Sequence, residues 1–114
     1  MTMAGTLKRT YGPAALSSTL TTNVYNQGSA LIYDTIKHIH VANKTGTAAT
    51  FSLWLGATGA NTAGTELFTA VNVPANSVYD WYGNLKMLNT DFLVGGAGTA
   101  TALTITLEGE QVVA

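Results

Sequence analysis

The 114-residue chain contains no cysteine. That excludes thiol catalysis, disulfide staples and cysteine-based zinc sites, and it leaves the redox compartment open. Charge is scarce as well: Asp, Glu, Lys and Arg make up 10% of the residues, against a usual ~25%. Five Lys and Arg, spread along the chain at a net charge of -1, cannot form the basic stripe of a nucleic-acid binder. No apolar run approaches the ~20 residues of a membrane-spanning helix. The N-terminal MTMAGTLKRTYGP has no long apolar segment behind its charges, so it does not read as a secretory signal. Neither nucleic acid nor membrane is expected as a partner. Thr, Ala, Gly, Ser and Asn stand where charge is missing. A surface with so little colloidal repulsion suits a molecule held in an assembly.

What is present is alternation and punctuation. In residues 35–55, TIKHIHVANKTGTAATFSLWL, an apolar run ends at Asn43 and a polar tip, Lys44-Thr45-Gly46-Thr47, follows. Alternation then resumes in Ala49, Phe51, Leu53 and Leu55, which reads as two strands about a turn. Residues 19–25 predict a strand, because Ser and Thr hydroxyls compete for the backbone and make a helix a poor alternative. Residues 30–43 predict a long strand whose phase changes. Leu31, Tyr33, Ile39 and Val41 share one parity and Ile36 has the other, so a bulge or crossover is expected near residues 34–37.

Residues 57–64 predict a loop, 66–73 a strand stopped by Pro74, and 78–82 a strand dense in aromatics. Gly83-Asn84 predicts a turn, 85–88 a short strand or loop, and 92–94 a strand followed by a flexible tip at 95–98. In the last strand, 102–109, Leu103, Ile105 and Leu107 should face inward and Thr104, Thr106 and Glu108 outward. About eight short strands and no helix predict one all-β domain, an antiparallel β-sandwich of jelly-roll or immunoglobulin-like type, over residues 14–114. Residues 1–13 read as an extended N-terminal arm ending at Gly12-Pro13. Leu7, Arg9 and Tyr11 are its candidate contacts with a partner; a short strand over residues 7–11 and a frayed terminus are the alternatives.

Little of this carries chemistry. His38 and His40, at i and i+2, share one face of a strand, the spacing of paired zinc ligands. A metal site needs further ligands. Asp34, Asp80 or Asp91 could supply one, but alternation cannot show convergence, and two surface histidines are the plainer reading. Glu108 and Glu110 have the same spacing at the end of the last strand, where a solvated edge is expected rather than acid–base work. Serines 17, 18, 29, 52 and 77 lie in no nucleophile motif. Gly95-Gly96-Ala97-Gly98 precedes a strand and so lacks the helix terminus of a phosphate cradle. The expectation is no catalytic residue, no cofactor and no metal. Trp54 is out of phase with Phe51, Leu53 and Leu55, and Tyr79 and Trp81 with Val78 and Tyr82. These three aromatics are expected to face outward as interface anchors, as a sugar-stacking surface, or under cover supplied by the domain itself.

The string from Ala30 to Leu55, with Lys37-His38-Ile39-His40-Val41-Ala42-Asn43 before a Thr45-Gly46 tip, resembles a pattern in small virion proteins of tailed bacteriophages. The likeness continues through Val73-Pro74-Ala75-Asn76, Gly95–Gly98 and the closing Glu108-Gly109-Glu110. The Leu-x-x-Gly-Asp of that pattern stands here as Leu88-Asn89-Thr90-Asp91, without the glycine. The resemblance implies a β-sandwich structural protein of the virion, made in the host cytoplasm. Its favoured role is capsid decoration (cement), as a homotrimer on the major capsid protein. A tail, baseplate or head-fibre-base component, or a carbohydrate-binding module, is the alternative.

Overall fold

The computed structural model describes residues 6–28 and 32–113. Eight strands follow in order: β1 (Thr6–Ala15), β2 (Asn23–Tyr25), β3 (Ile32–Asn43), β4 (Ala49–Gly56), β5 (Glu66–Val73), β6 (Val78–Met87), β7 (Phe92–Ala97) and β8 (Leu103–Val113). All pairings are antiparallel, in two four-stranded sheets ordered β1-β8-β3-β6 and β2-β7-β4-β5. An immunoglobulin-like sandwich pairs its first strand with its second. Here the first pairs with the last and the second with the seventh, which is the doubly wound order of a jelly roll.

The alternation written into β8 sets the layers. Leu103, Ile105 and Leu107 are fully buried between the sheets, while Thr104, Thr106 and Glu108 face away. Ile36, Ile39 and Val41 of β3 and Phe51 and Leu53 of β4 join them in one core. Each such side chain contributes roughly 1.5–3 kcal/mol by leaving water. The expected phase change in β3 is present: the register slips between Ile36 and His38 against both neighbours, with Lys37 as the extra residue relative to β8.

Several expectations are corrected. Residues 6–13 are not a free arm but the larger part of β1, registered from Thr6↔Gln111 to Ala15↔Thr104. The reason is packing. Tyr11 lies on the core and against the Tyr25 ring, centroids 5.8 Å apart, and β8 needs a neighbour on that side. The strand passes through Gly12-Pro13, joined by a cis peptide bond, because a proline on an edge strand leaves no ladder bond unmade. Residues 1–5 of the expected arm, and 29–31 of the expected turn and strand, lie outside the described residues.

The strand expected at 19–25 shrinks to β2. Before it the hydroxyls bond locally, Ser17 Oγ with Thr22 Oγ1 at 2.8 Å and Thr22 Oγ1 to the Thr19 carbonyl at 2.7 Å. Gly83-Asn84 is no turn: β6 runs on to Met87, and the pair takes up a register slip against β3. Gly95 and Gly96 lie inside β7 rather than at a tip. A Cβ on Gly95 would stand 2.0 Å from the Ser52 carbonyl oxygen, and one on Gly96 2.4 Å from that of Ser17. Glycine lets the backbones on either side close in.

Candidate functional site

The outer face of the β1-β8-β3-β6 sheet gathers most of the chain's titratable side chains. The bulge at Lys37 is what places them. Before it, Asp34 and Ile36 point into the sandwich; after it, Ile39 and Val41 do, and His38 and His40 point out. Cross-strand register then fixes their neighbours. One row runs Arg9–Glu108–His38–Tyr82, and the next runs Thr106–His40–Asp80.

Within these rows a single carboxylate oxygen, Asp80 Oδ1, lies 2.7 Å from His38 Nε2 and 2.6 Å from His40 Nδ1. Glu108 Oε1 lies 3.0 Å from the other His38 nitrogen, Nδ1. The Tyr82 ring stacks on the His38 ring at 4.5 Å, the planes only 2° apart. Partial burial alone would lower the His38 pKa, but hydrogen bonds to Asp80 and Glu108 outweigh it and hold the imidazole above its ordinary value. Hydrogen bonds from His40 and His38 in turn hold Asp80 below the usual carboxylate range. With a carboxylate at each nitrogen, His38 makes both bonds only as the imidazolium. Lys37 Nζ, 3.4 Å from Glu110 Oε2, closes a more exposed pair beside the cluster. A shallow depression of about 330 Å³ opens next to it, lined by Leu7, Lys8, Arg9, Lys37, His38 and Glu108.

Of the three aspartates expected as partners for the histidines, only Asp80 converges. Asp34 is buried on the inner face, where its carboxylate accepts from Tyr25, and Asp91 accepts from the Leu88 N–H at 2.8 Å. Glu108 was legible only as half of a Glu108/Glu110 pair, because its place beside His38 depends on β8 lying next to β3.

The expected interface anchors separate. Leu7, 73% exposed, and Arg9 lie open on β1, but Tyr11 turns inward. Tyr79 and Trp81 also face the core, against expectation. Tyr79 packs on Phe51 at 5.5 Å, and Trp81 meets Phe68 edge-on at 6.1 Å. Their alternates Val78 and Tyr82, 53% and 72% exposed, take the outer face. Asp80 carried the missed signal: it shares parity with Val78 and Tyr82, and a carboxylate marks the wet face of a strand.

Trp54 does point away from the main core, as its phase requires, yet it is only 9% exposed. It lies in the row Asn23–Val94–Trp54–Glu66. The loop 57–65 is pinned at both ends of that row. Asn23 bonds Thr58 Oγ1 at 2.9 Å and the Gly59 N–H at 2.7 Å, and the Glu66 carboxylate accepts from the Gly64 N–H at 3.0 Å. The domain thus covers Trp54 itself, and Trp54, Tyr79 and Trp81 share no common surface.

No family model and no curated protein matches the chain. Among solved structures it is similar to a chain in "Structure of infectious bursal disease virus Gt strain", at 8% identity and a TM-score of 0.33. That match covers 98% of this chain and 30% of the other, so the chain spans less than a third of the length of its neighbour.

Proposed function

We propose that this chain is a structural protein of a tailed-bacteriophage virion: a capsid decoration (cement) module that sits as a homotrimer on the major capsid protein lattice. The observation that carries it is the edge made by β1. The strand pairs with β8 on one side and with no described strand on the other. It also holds Leu7 out into solvent beside Arg9. Unpaired strand backbone next to an exposed apolar side chain is a template for another chain.

A jelly roll serves viral shells, lectins and cupins alike, so the fold alone does not choose among them. The sequence resemblance supports the first. The lectin-like alternative loses Tyr79 and Trp81 to the core and Trp54 to cover within the domain. Lattice repetition supports a small contact patch, since a standard interface buries ~800 Å² per partner and avidity multiplies it.

The test is size-exclusion chromatography with light scattering, with and without expanded capsids of the encoding phage. A trimer that co-migrates with capsids, and Leu7→Asp and Arg9→Glu variants that stay folded but bind weakly, support the proposal. A monomer that ignores capsids overturns it and moves the assignment to the tail, baseplate or head-fibre base.

A further inference from the structure

We propose that His38, His40 and Asp80 form a binding site for one divalent transition-metal ion, best matched by Zn²⁺, on the outer face of the β1-β8-β3-β6 sheet. The site stands apart from the shell assignment and holds or fails independently of it.

Three donor atoms, one each from His38, His40 and Asp80, lie within 4.8 Å of one another. Zinc takes nitrogen and oxygen donors at about 2.0–2.2 Å, which puts neighbouring donors of a tetrahedron roughly 3.3 Å apart. The cluster brackets that spacing. Asp80 Oδ1 is now 2.7 and 2.6 Å from the two imidazole nitrogens. A small rotation of this partly exposed carboxylate opens the centre to an ion. Three protein ligands with a fourth position left to water is an ordinary zinc arrangement.

The support around the ligands belongs to a metal site rather than to a chance surface cluster. Glu108 faces Nδ1 of His38. A carboxylate there holds a proton on Nδ1 and raises the basicity of the ring, so that an ion has only to replace the Nε2 proton that Asp80 now accepts. Stacking on Tyr82 fixes the plane of the same ring. The bulge at Lys37 and the pairing of β3 with β6 set the backbone positions of all three ligands. Two carboxylates, Asp80 and Glu108, offset the charge of a dication, while the nearby Lys37 is occupied by Glu110. The ligand side chains are 21–34% exposed, so an ion reaches them from solvent. Two imidazoles select a transition metal over Mg²⁺ or Ca²⁺, which want oxygen ligands.

The test is calorimetric titration of metal-stripped, tag-free protein with ZnCl₂ at neutral pH, with Co²⁺ absorption as a second readout. The expected result is one saturable site per chain, with the visible bands of four-coordinate Co²⁺, and no displacement by excess Mg²⁺ or Ca²⁺. His40→Ala and Asp80→Ala each lose a ligand and abolish saturable binding. Glu108→Gln keeps every ligand and weakens binding about 10–100-fold. Glu66→Gln, on the other sheet, binds as the parent does. All four changes are on accessible side chains, and circular dichroism checks that each variant is folded. No saturable binding by the parent, or undiminished binding by His40→Ala or Asp80→Ala, overturns the proposal.

Discussion

The Tyr25 hydroxyl, on β2 of one sheet, donates a hydrogen bond to the Asp34 carboxylate, on β3 of the other. Asp34 is fully buried, and its second oxygen, Oδ1, has no hydrogen-bond partner among the described residues. Tyr25→Phe keeps the ring packed on Tyr11 but strips the donor from a buried carboxylate. The expected cost is about 1–3 kcal/mol. At roughly 4 °C per kcal/mol for a domain of this size, thermal unfolding resolves it. An unchanged midpoint would mean that the bond adds nothing net.

The same pair predicts how stability falls in alkali. Burial, then the hydrogen bond to Asp34 and its charge, push the Tyr25 pKa far above the ordinary tyrosine value. In the unfolded chain the phenol ionises near pH ~10, whereas the folded chain keeps its proton. The unfolded state therefore binds fewer protons at high pH, and the contribution of Tyr25 is complete below about pH 10 and is lost above it. The stability gap between the parent and Tyr25→Phe should narrow as denaturant midpoints are followed from about pH 9 to 11. A constant gap would contradict a phenol held protonated by burial.

Adjacent residues of β6 should respond unequally to truncation. Trp81→Ala removes an indole packed edge-on against Phe68 across the sandwich and should cost about 3 kcal/mol. Tyr82→Ala removes a ring that touches His38 on the open face and should cost about 1 kcal/mol or less. Equal losses in urea unfolding would mean that the faces of β6 are wrongly assigned.

These two residues also mark where the sequence stops being legible. The bounds of β5, Glu66–Val73, follow from the small-residue loop before it and Pro74 after it, and are reproduced without change. The bulge in β3 follows from a change of apolar parity. Both are local signals. In β6 apolar or aromatic residues occupy both parities, so alternation does not choose a face, and only the charge of Asp80 breaks the tie. In β4 both faces are buried, and parity does not reveal that the following loop, 57–65, is tied back to both ends of the row that holds Trp54. The His38–His40–Asp80–Glu108 cluster is less legible still. It spans three strands, and Glu108 is 70 residues from His38. Which strands adjoin is decided by the jelly-roll winding, which spacing within one strand does not encode.

Gly95→Ala should be among the most damaging small substitutions. Its φ of +153° is one that side chains rarely adopt, and its added Cβ would collide with Ser52 and Leu53 backbone. Backbone cannot rotate away as a side chain can, so a loss of about 4 kcal/mol or more is expected, seen first as a fall in soluble yield. Gly46→Ala, at the β3–β4 tip with open space around it, is the control and should stay within about 0.5 kcal/mol. Similar yields for both variants would sink the close-packing account of β7.

Asn23 holds one end of the loop that shields Trp54, through Thr58 Oγ1 and the Gly59 N–H. Asn23→Ala frees that end while Glu66 keeps its grip on Gly64 at the other. Losing two part-exposed hydrogen bonds costs about 1 kcal/mol, so the domain stays folded while the loop opens. Trp54 then meets water. In a Trp81→Phe background, which leaves Trp54 as the single indole, emission should shift to the red and acrylamide quenching should rise. Truncating Glu66 as well should enlarge both changes, because the row Asn23–Val94–Trp54–Glu66 is pinned only at its ends. Emission that stays blue in the double variant would show that packing within the sheet, rather than the tethered loop, keeps Trp54 dry.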